Sequence, residues 1–216
     1  MTELTSAELR KALRQEQLVA ILRGPDPGAV VRAGRVLVEC GVRILEISLS
    51  STDALISLEE LANALAGSDA VLGAGTVIAP GDAARSRDAG AAFAVTPALG
   101  PGVHESVELG VPVLAGALTP TEVLAAYQAG ASAVKVFPAG LFGPNYFRDL
   151  SAPFPDVPLV AVGGVAATQV RAYLDAGALA VGVASPLLGD APAGGNLDAL
   201  RSRASVFLSH VRPAHA

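Results

Sequence analysis

The sequence predicts one α/β domain, a (β/α)8 TIM barrel over residues 1–216, with an N-terminal helix over residues 1–17 packed on the barrel. Three observations support this. A chain of 216 residues, 51% of them hydrophobic, is long enough for one well-buried core. Eight short apolar runs alternate with longer amphipathic stretches. Glycines at positions 90, 110 and 130 recur every 20 residues, which weakly indicates a βα repeat. A doubly wound open sheet stays open as an alternative, but eight strands favour the closed barrel.

The strands are predicted from apolar runs that are continuous rather than alternating. This pattern is typical of strands that are buried on both faces of a parallel sheet. In chain order, the predicted strands are Leu18–Leu22, Val42–Ile47, Ala70–Gly73, Ala92–Val95, Pro112–Leu114, Ala133–Phe137, Pro158–Val162 and Ala180–Val183.

The helices are predicted from amphipathic spacing and from their end signals. Ala29–Cys40 and Asp53–Leu65 place apolar side chains on one face at helical spacing. Thr119–Glu122 is a capping box with proline at the first helical position. A glycine ends five of the helical patterns just before a strand, as a helix C-terminal glycine should. These glycines are Gly41, Gly90, Gly110, Gly130 and Gly177.

Composition excludes several functional classes. Twenty acidic and fifteen basic residues give a net charge of −5, and the aromatic residues are six Phe, three Tyr and no Trp, so nucleic acid and anionic membranes are not expected partners. No apolar run approaches the roughly 20 residues of a spanning helix. The polar N-terminus shows no export signal, which predicts a cytoplasmic protein. With Cys40 as the single cysteine and three histidines without ligand spacing, we expect no disulfide and no metal.

Polar residues at the ends of the predicted strands are the candidates for chemistry, because the active site of such a barrel lies at the C-terminal ends of its strands. Most of these residues interrupt or directly follow an apolar run. They are Arg23, Glu46, Thr76, Thr96, Pro97, Lys135, Gly163 and Gly164.

Lys135 is the sharpest of these candidates. Thirteen of the fifteen basic residues are Arg, and the two lysines are Lys11 in the polar N-terminal segment and Lys135 in an apolar strand. Burial disfavours the charged form of an amine, as an amine nucleophile requires, whereas Arg forms no imine with a carbonyl. A strand lysine that only snorkels or pairs with a carboxylate is the alternative.

Glu46 interrupts another run that is suited to the core, between Leu45 and Ile47. A buried acid needs a partner, and Arg23 is a candidate. The same carboxyl group could act as a general acid and base. The two interpretations are compatible, since one cluster could hold Arg23, Glu46 and Lys135.

Two small-residue segments follow the seventh and eighth predicted strands. They are Gly163–Gly164 and Gly182–Ser185. Backbone N–H groups at this place in a barrel commonly bind phosphate. A glycine pair alone usually marks only a turn, but two such segments together favour a phosphate site.

These residues together resemble the class I 2-keto-3-deoxy-6-phosphogluconate (KDPG)/6-phosphogalactonate (KDPGal) aldolase family. The resemblance extends over nearly the whole chain, and the segments GAGTV and VKVFPA are fairly specific. The matching segments are VAILRG (19–24), RILEISLSS (43–51), LGAGTV (72–77), FAVTP (93–97), ASAVKVFPA (131–139), FGPNYFRDL (142–150), VAVGGV (160–165) and VGVASPL (181–187).

The resemblance implies a (β/α)8 barrel, a homotrimer and aldol cleavage of a phosphorylated keto acid without metal or organic cofactor. It implies that Lys135 forms the imine and that Glu46 is catalytic. Thr76, Pro97 and Phe137 would contact the substrate, as would Arg23. Phosphate would bind near four residues at the last two strands, which are Gly163, Gly164, Gly182 and Ser185.

One departure from the family pattern concerns substrate stereochemistry. The phosphogluconate branch has an Arg shortly after the catalytic Glu, where this chain has Ser50 in EISLSS. The segments LRG at 22–24 and FGPNY at 142–146 are more similar to the phosphogalactonate branch, in which an Arg follows the first strand. Arg23 would then bind a substrate anion, and the configuration at C4 stays open.

Two other functions stay open at this point. The chain could be a metal-free sugar-phosphate isomerase or epimerase in which Lys135 acts only electrostatically. It could also be a sugar-phosphate-binding barrel without activity. Glu46 and Lys135 together argue against pure binding, because binding alone needs no buried amine. Unphosphorylated 4-hydroxy-2-oxoglutarate is a further candidate substrate of the aldolase.

Overall fold

The computed structural model of the protein describes residues 4–211 and shows a closed barrel of eight parallel strands in chain order. The strands are β1 (Leu18–Leu22), β2 (Ile44–Ser48), β3 (Val71–Gly75), β4 (Phe93–Val95), β5 (Val113–Ala117), β6 (Ala133–Val136), β7 (Leu159–Val162) and β8 (Ala180–Val183). Since β1 pairs with both β2 and β8, the sheet closes on itself. The predicted fold class is confirmed, and the open doubly wound sheet is wrong.

Helices lie before the first strand, between the strands and after the last one. They are α1 (Ser6–Glu16), α2 (Pro27–Glu39), α3 (Ala54–Ala64), α4 (Asp82–Asp88), α5 (Pro101–Glu108), α6 (Pro120–Gln128), α7 (Asn145–Ser151), α8 (Val170–Asp175), α9 (Ser185–Leu188) and α10 (Leu197–Val211). The predicted N-terminal helix is α1, and the first three residues of the predicted range 1–17 lie outside the described residues. No helix within residues 4–211 is long and apolar enough to span a bilayer.

Six of the eight predicted strands differ from the structure at one or both ends, and β3 and β5 differ most at the C-terminal end. β3 continues to Gly75 and β5 to Ala117, whereas the predictions stopped at Gly73 and Leu114. Small residues at these ends resemble loop residues in the sequence. In the barrel they remain paired with the neighbouring strand, as Gly75 is with Ser48.

Two groups of buried apolar side chains form the core. The larger one lies between the sheet and the surrounding helices. The smaller one fills the barrel interior, where Val19, Ile44 and Phe93 lie beside Leu9 and Leu13 of α1. α1 packs against the N-terminal ends of the strands. It therefore closes this end of the barrel and leaves the C-terminal end open.

The sequence of α1 accounts for its place. Leu9 and Leu13 are spaced four apart on one face and are fully buried, whereas Lys11 lies on the exposed face. Thr5 and Glu8 form a capping box that satisfies the first backbone N–H groups. A hydrogen bond of 2.8 Å from the hydroxyl of Ser132 to that of Ser6 joins the helix to the barrel.

We expect Leu13→Ala to lower the free energy of unfolding by about 2–5 kcal/mol, because it leaves a cavity under the barrel. Lys11→Ala on the same helix is the matched control and should change stability by less than about 0.5 kcal/mol. Denaturant titrations at one protein concentration measure both. Equal stability of the two variants would show that α1 does not close the core.

Candidate active site

A cavity of about 330 Å³ opens at the C-terminal end of the barrel. Ten residues that the sequence singled out line it together, although they come from seven strands or the loops after them. They are Arg23, Glu46, Thr76, Pro97, Lys135, Phe137, Gly163, Gly164, Gly182 and Ser185. Thr96, the eleventh candidate, is buried beside it, and its hydroxyl joins Ala98 to Gly116 through hydrogen bonds of 2.8 and 3.2 Å. The structure gives the placement of these residues, and their roles stay predictions.

A second cavity, of about 370 Å³, lies outside the barrel mouth, and its lining within residues 4–211 contains no lysine that could act as a nucleophile. Its charged residues are Asp53, Asp82 and Arg85. Arg85 is bound to Asp82 at 2.6 Å, so its charge is already neutralised. The cavity at the barrel mouth combines a buried amine with a buried carboxyl group and is therefore the candidate active site.

Lys135 points into the barrel from β6. The residue is only 8% exposed, and its Nζ atom lies 5.3 Å from the centre of the Phe137 ring. Lys135 pairs with Gly116 of β5 and Val160 of β7, so it stands on a strand with neighbours on both sides. Within residues 4–211 its amine forms no ion pair and no hydrogen bond. The two neighbouring strands fix the backbone of Lys135, and the amine faces the cavity.

Glu46 points into the same cavity from β2 and is 3% exposed. Gly75 on the neighbouring strand makes room for it, because a side chain there would occupy the space of the Glu46 carboxyl group. Burial raises the pKa of Glu46 above its ordinary value, and the positive charges of Lys135 and Arg23 only partly offset this. Arg23, Glu46 and Lys135 line this one cavity, which is the arrangement that the sequence analysis considered.

Hydroxyl groups join three strand ends above Glu46. The Nε atom of Arg23 donates to the Oγ atom of Ser48 at 3.3 Å, and this Oγ atom lies 2.8 Å from that of Ser50. It also lies 2.7 Å from Oγ1 of Thr76, whose φ of 60° is in the left-handed region. The sequence analysis missed Ser48. Its position two residues after Glu46 was the available signal, since such residues share one face of a strand.

The glycines predicted to bind phosphate lie opposite this cluster. Gly163 and Gly164 follow β7 with φ values of 90° and 76°, which glycine adopts at little cost. The N–H group of Gly140 donates to the carbonyl of Gly163 at 2.8 Å and fixes the turn. Ser185 is the exposed first residue of α9.

Gly182 lies within β8, as the predicted strand Ala180–Val183 has it, and not in a segment that follows the strand. It pairs with Val19 of β1 and Val162 of β7. A strand residue with partners on both sides has fewer backbone groups free for a ligand. A side chain at Gly182 would press on Val162, so the glycine mainly leaves room inside the barrel.

A comparison with family models shows which protein family the chain belongs to. The model described as "Aldolase: KDPG and KHG aldolase" matches residues 9–201. The chain belongs to this family. It is therefore an aldolase, a carbon–carbon lyase, and a sugar-phosphate-binding barrel without activity is not supported.

Individual members of the family agree with this. The aldolase chain is 34% identical over 199 residues to the 2-dehydro-3-deoxy-6-phosphogalactonate aldolase of Escherichia coli (strain K12), which covers 91% of this chain and 95% of that protein. A solved structure described as native KDPGal shares 33% identity with a TM-score of 0.82, over 89% of this chain and 93% of that chain. A crystal structure of a 4-hydroxy-2-oxoglutarate/2-dehydro-3-deoxyphosphogluconate aldolase shares 36% identity with a TM-score of 0.79, over 94% and 98%.

The aldolase carries no cluster of metal-ligating side chains in the part that the structure describes. Within residues 4–211, no three His, Cys, Asp or Glu side chains lie close enough to hold a metal ion. The chemistry available at the cavity is that of an amine, a carboxyl group, hydroxyls and backbone N–H groups.

The raised pKa of Glu46 has a consequence for stability. A carboxyl group whose pKa is higher in the folded than in the unfolded protein stabilises the fold at low pH, and this stabilisation is lost as the pH rises through the folded-state value. Glu46→Gln removes this titration. The free energy of unfolding of Glu46→Gln, minus that of the wild type, should therefore increase between about pH 4 and pH 8.

Denaturant titrations across this pH range measure the difference. Glu108→Gln, at an exposed carboxyl group of α5, is the control and should give a nearly constant difference from the wild type. A Glu46→Gln difference that stays constant or decreases with pH would contradict the raised pKa.

Proposed function

We propose that this protein is a class I aldolase that cleaves a 2-keto-3-deoxy-6-phospho sugar acid to pyruvate and glyceraldehyde 3-phosphate through an imine on Lys135. The observation that carries the proposal is the joint burial of Lys135 and Glu46 in one cavity, with a glycine turn on the opposite side. An amine nucleophile, a proton carrier and an anion site are the three parts that this cleavage needs.

The first half of the reaction uses Lys135. Its neutral amine attacks the C2 carbonyl carbon, and loss of water leaves an iminium ion. This cation withdraws electrons from C3, so no metal or organic cofactor is required. The ring of Phe137 lies beside Nζ, with its centre 5.3 Å away, and forms an apolar wall of the cavity at the amine.

The second half uses Glu46. Its carboxylate takes the proton of the C4 hydroxyl, directly or through a water molecule. The electron pair of the C3–C4 bond then moves towards the iminium, and glyceraldehyde 3-phosphate leaves. Glu46 returns the proton to C3 of the enamine, and hydrolysis releases pyruvate and restores the amine. A raised pKa suits a group that must both take and give this proton.

Groups on two sides of the cavity account for the two ends of the substrate. Arg23 and Thr76 lie on the side of Glu46, and we assign them, with Pro97, to the keto-acid end. The turn at Gly163–Gly164 and Ser185 at the start of α9 offer backbone and hydroxyl donors for the terminal phosphate.

The choice of substrate follows from the same residues. Ser50 and Arg23 match the phosphogalactonate branch, which makes the phosphogalactonate-type epimer the first substrate to assay. We also propose activity on 4-hydroxy-2-oxoglutarate. The 36% identical relative is named for this substrate. Its lack of phosphate leaves the glycine turn unused, so the activity should be weaker.

Assembly and location complete the proposal. We propose a homotrimer, and four apolar side chains that are more than half exposed support assembly. They are Ile56, Ile78, Leu141 and Phe142. We also propose a cytoplasmic location, because phosphorylated sugar acids do not readily cross membranes.

We expect Lys135→Arg to abolish cleavage while the fold and the positive charge remain, because a guanidinium group forms no imine. Pyruvate release measures cleavage, and mass spectrometry after borohydride reduction with pyruvate measures imine formation. Lys11→Arg is the matched control and should keep both. Turnover in Lys135→Arg, or no borohydride trapping in the wild type, would contradict the covalent mechanism.

A substitution in the turn at Gly163–Gly164 should weaken binding of the phosphorylated substrate and leave the reaction with pyruvate, which has no phosphate, unchanged. Alanine fits the φ of 76° at Gly164 poorly and would press on Gly140, so Gly164→Ala should displace the backbone donors. We expect KM for the phosphorylated substrate to rise about 5-fold or more, with little change in trapping of pyruvate.

The control for this substitution is Gly143→Ala. Gly143 has a similar φ of 73° but lies in open space outside the cavity lining. KM should stay at the wild-type value in this variant. If Gly164→Ala impaired pyruvate trapping as much as turnover of the phosphorylated substrate, the turn would not be a dedicated phosphate site.

A further inference from the structure

The hydroxyl group of Ser48 is the centre of the polar cluster at the ends of β1, β2 and β3. Ser48 is fully buried, two residues after Glu46 on the inward face of β2. Its Oγ atom lies 3.3 Å from Nε of Arg23, 2.8 Å from Oγ of Ser50 and 2.7 Å from Oγ1 of Thr76. Three polar groups from three different strand ends therefore meet at one buried atom.

The hydrogen-bond capacity of this hydroxyl is completely used. A serine hydroxyl has one hydrogen to donate and two lone pairs to accept with. The Nε–H group of Arg23 can only donate, so it takes one lone pair. The contacts with Ser50 and Thr76 take the hydrogen and the other lone pair, in either order. Arg23 cannot turn away without leaving a buried lone pair unpaired.

This contact leaves the outer part of Arg23 free for a ligand. The residue is exposed overall and lines the cavity, and in residues 4–211 its two terminal nitrogens donate no hydrogen bond. These two nitrogens form a planar fork that binds a carboxylate or phosphate through two parallel hydrogen bonds. The fork is useful only if the long side chain is held in one orientation.

We propose that Ser48 is a positioning residue, whose hydroxyl holds the Arg23 guanidinium so that its two terminal nitrogens face the anionic group of the substrate. The role rests on the proposed function, since it assumes a substrate anion at Arg23. Ser48 does not line the cavity, so in this role it contacts Arg23 and not the substrate. Its effect should therefore lie in substrate binding and not in bond cleavage.

Ser48→Ala tests this role. We expect KM for the phosphorylated keto acid to rise about 5- to 20-fold, with a change in kcat of less than about 2-fold. Ser48→Thr, which keeps the hydroxyl, should restore KM to within about 2-fold of the wild type. If Ser48→Ala does not fold, Ser48→Cys gives the same comparison, since it keeps the size and weakens the hydrogen bond.

A double-mutant cycle with Arg23→Ala shows whether Ser48 acts through Arg23. In the Arg23→Ala background, Ser48→Ala should change KM by less than about 2-fold. Ser106→Ala is the control, because this buried serine bonds only to a carbonyl of its own helix, and it should leave KM unchanged.

Four outcomes overturn the proposal. Wild-type KM in Ser48→Ala, or additive effects of Ser48→Ala and Arg23→Ala, would refute positioning while the wild-type enzyme still cleaves its substrate. A fall in kcat that equals the loss in kcat/KM would assign Ser48 to the chemical step instead. Absence of both cleavage and pyruvate trapping in the wild type would overturn the proposed function, and the role of Ser48 with it.

Discussion

The electrostatic balance between a buried carboxyl group and a buried amine is the constraint on which the site depends. Each charge alone would cost several kcal/mol to remove from water. Glu46 and Lys135 share one cavity, and Arg23 adds a second positive charge near the carboxyl group. Burial nevertheless outweighs these charges in setting the pKa of Glu46. The outcome is a carboxyl group that holds its proton more tightly than usual.

Glycines in the strands of the barrel leave the space that the buried carboxyl group and the cavity need. A normal strand residue in place of Gly75 would fill the volume that the Glu46 side chain occupies, and one in place of Gly116 would collide with the backbone of Pro97. Below this level, the interior is closed by Phe93 and by the leucines of α1. Apolar packing at one end therefore supports a polar cavity at the other.

The sequence predicted the fold and most of the cavity lining for a physical reason. Strands of a barrel converge at one end, so a polar residue that ends an apolar run, such as Glu46 or Lys135, has few other places to lie. Ser48 was missed because a serine beside Ser50 and Ser51 resembles a loop residue. Gly182 was grouped with the segment after the eighth strand, but it pairs within β8, and the sequence does not show which small residues have backbone groups left free. The surroundings of Ser48 and of Gly182 are both set by contacts between strands, and such contacts cannot be read from neighbouring residues in the sequence.

The scarcity of lysine has a practical consequence for handling the protein. Lys11 is exposed on α1, at the end of the barrel opposite the cavity, whereas Lys135 is buried within it. Reagents that couple to side-chain amines, when bulky, should attach at Lys11 and spare the cavity. A surface coupled through Lys11 would leave the open mouth of the barrel towards the solution, which is the orientation needed for immobilised use.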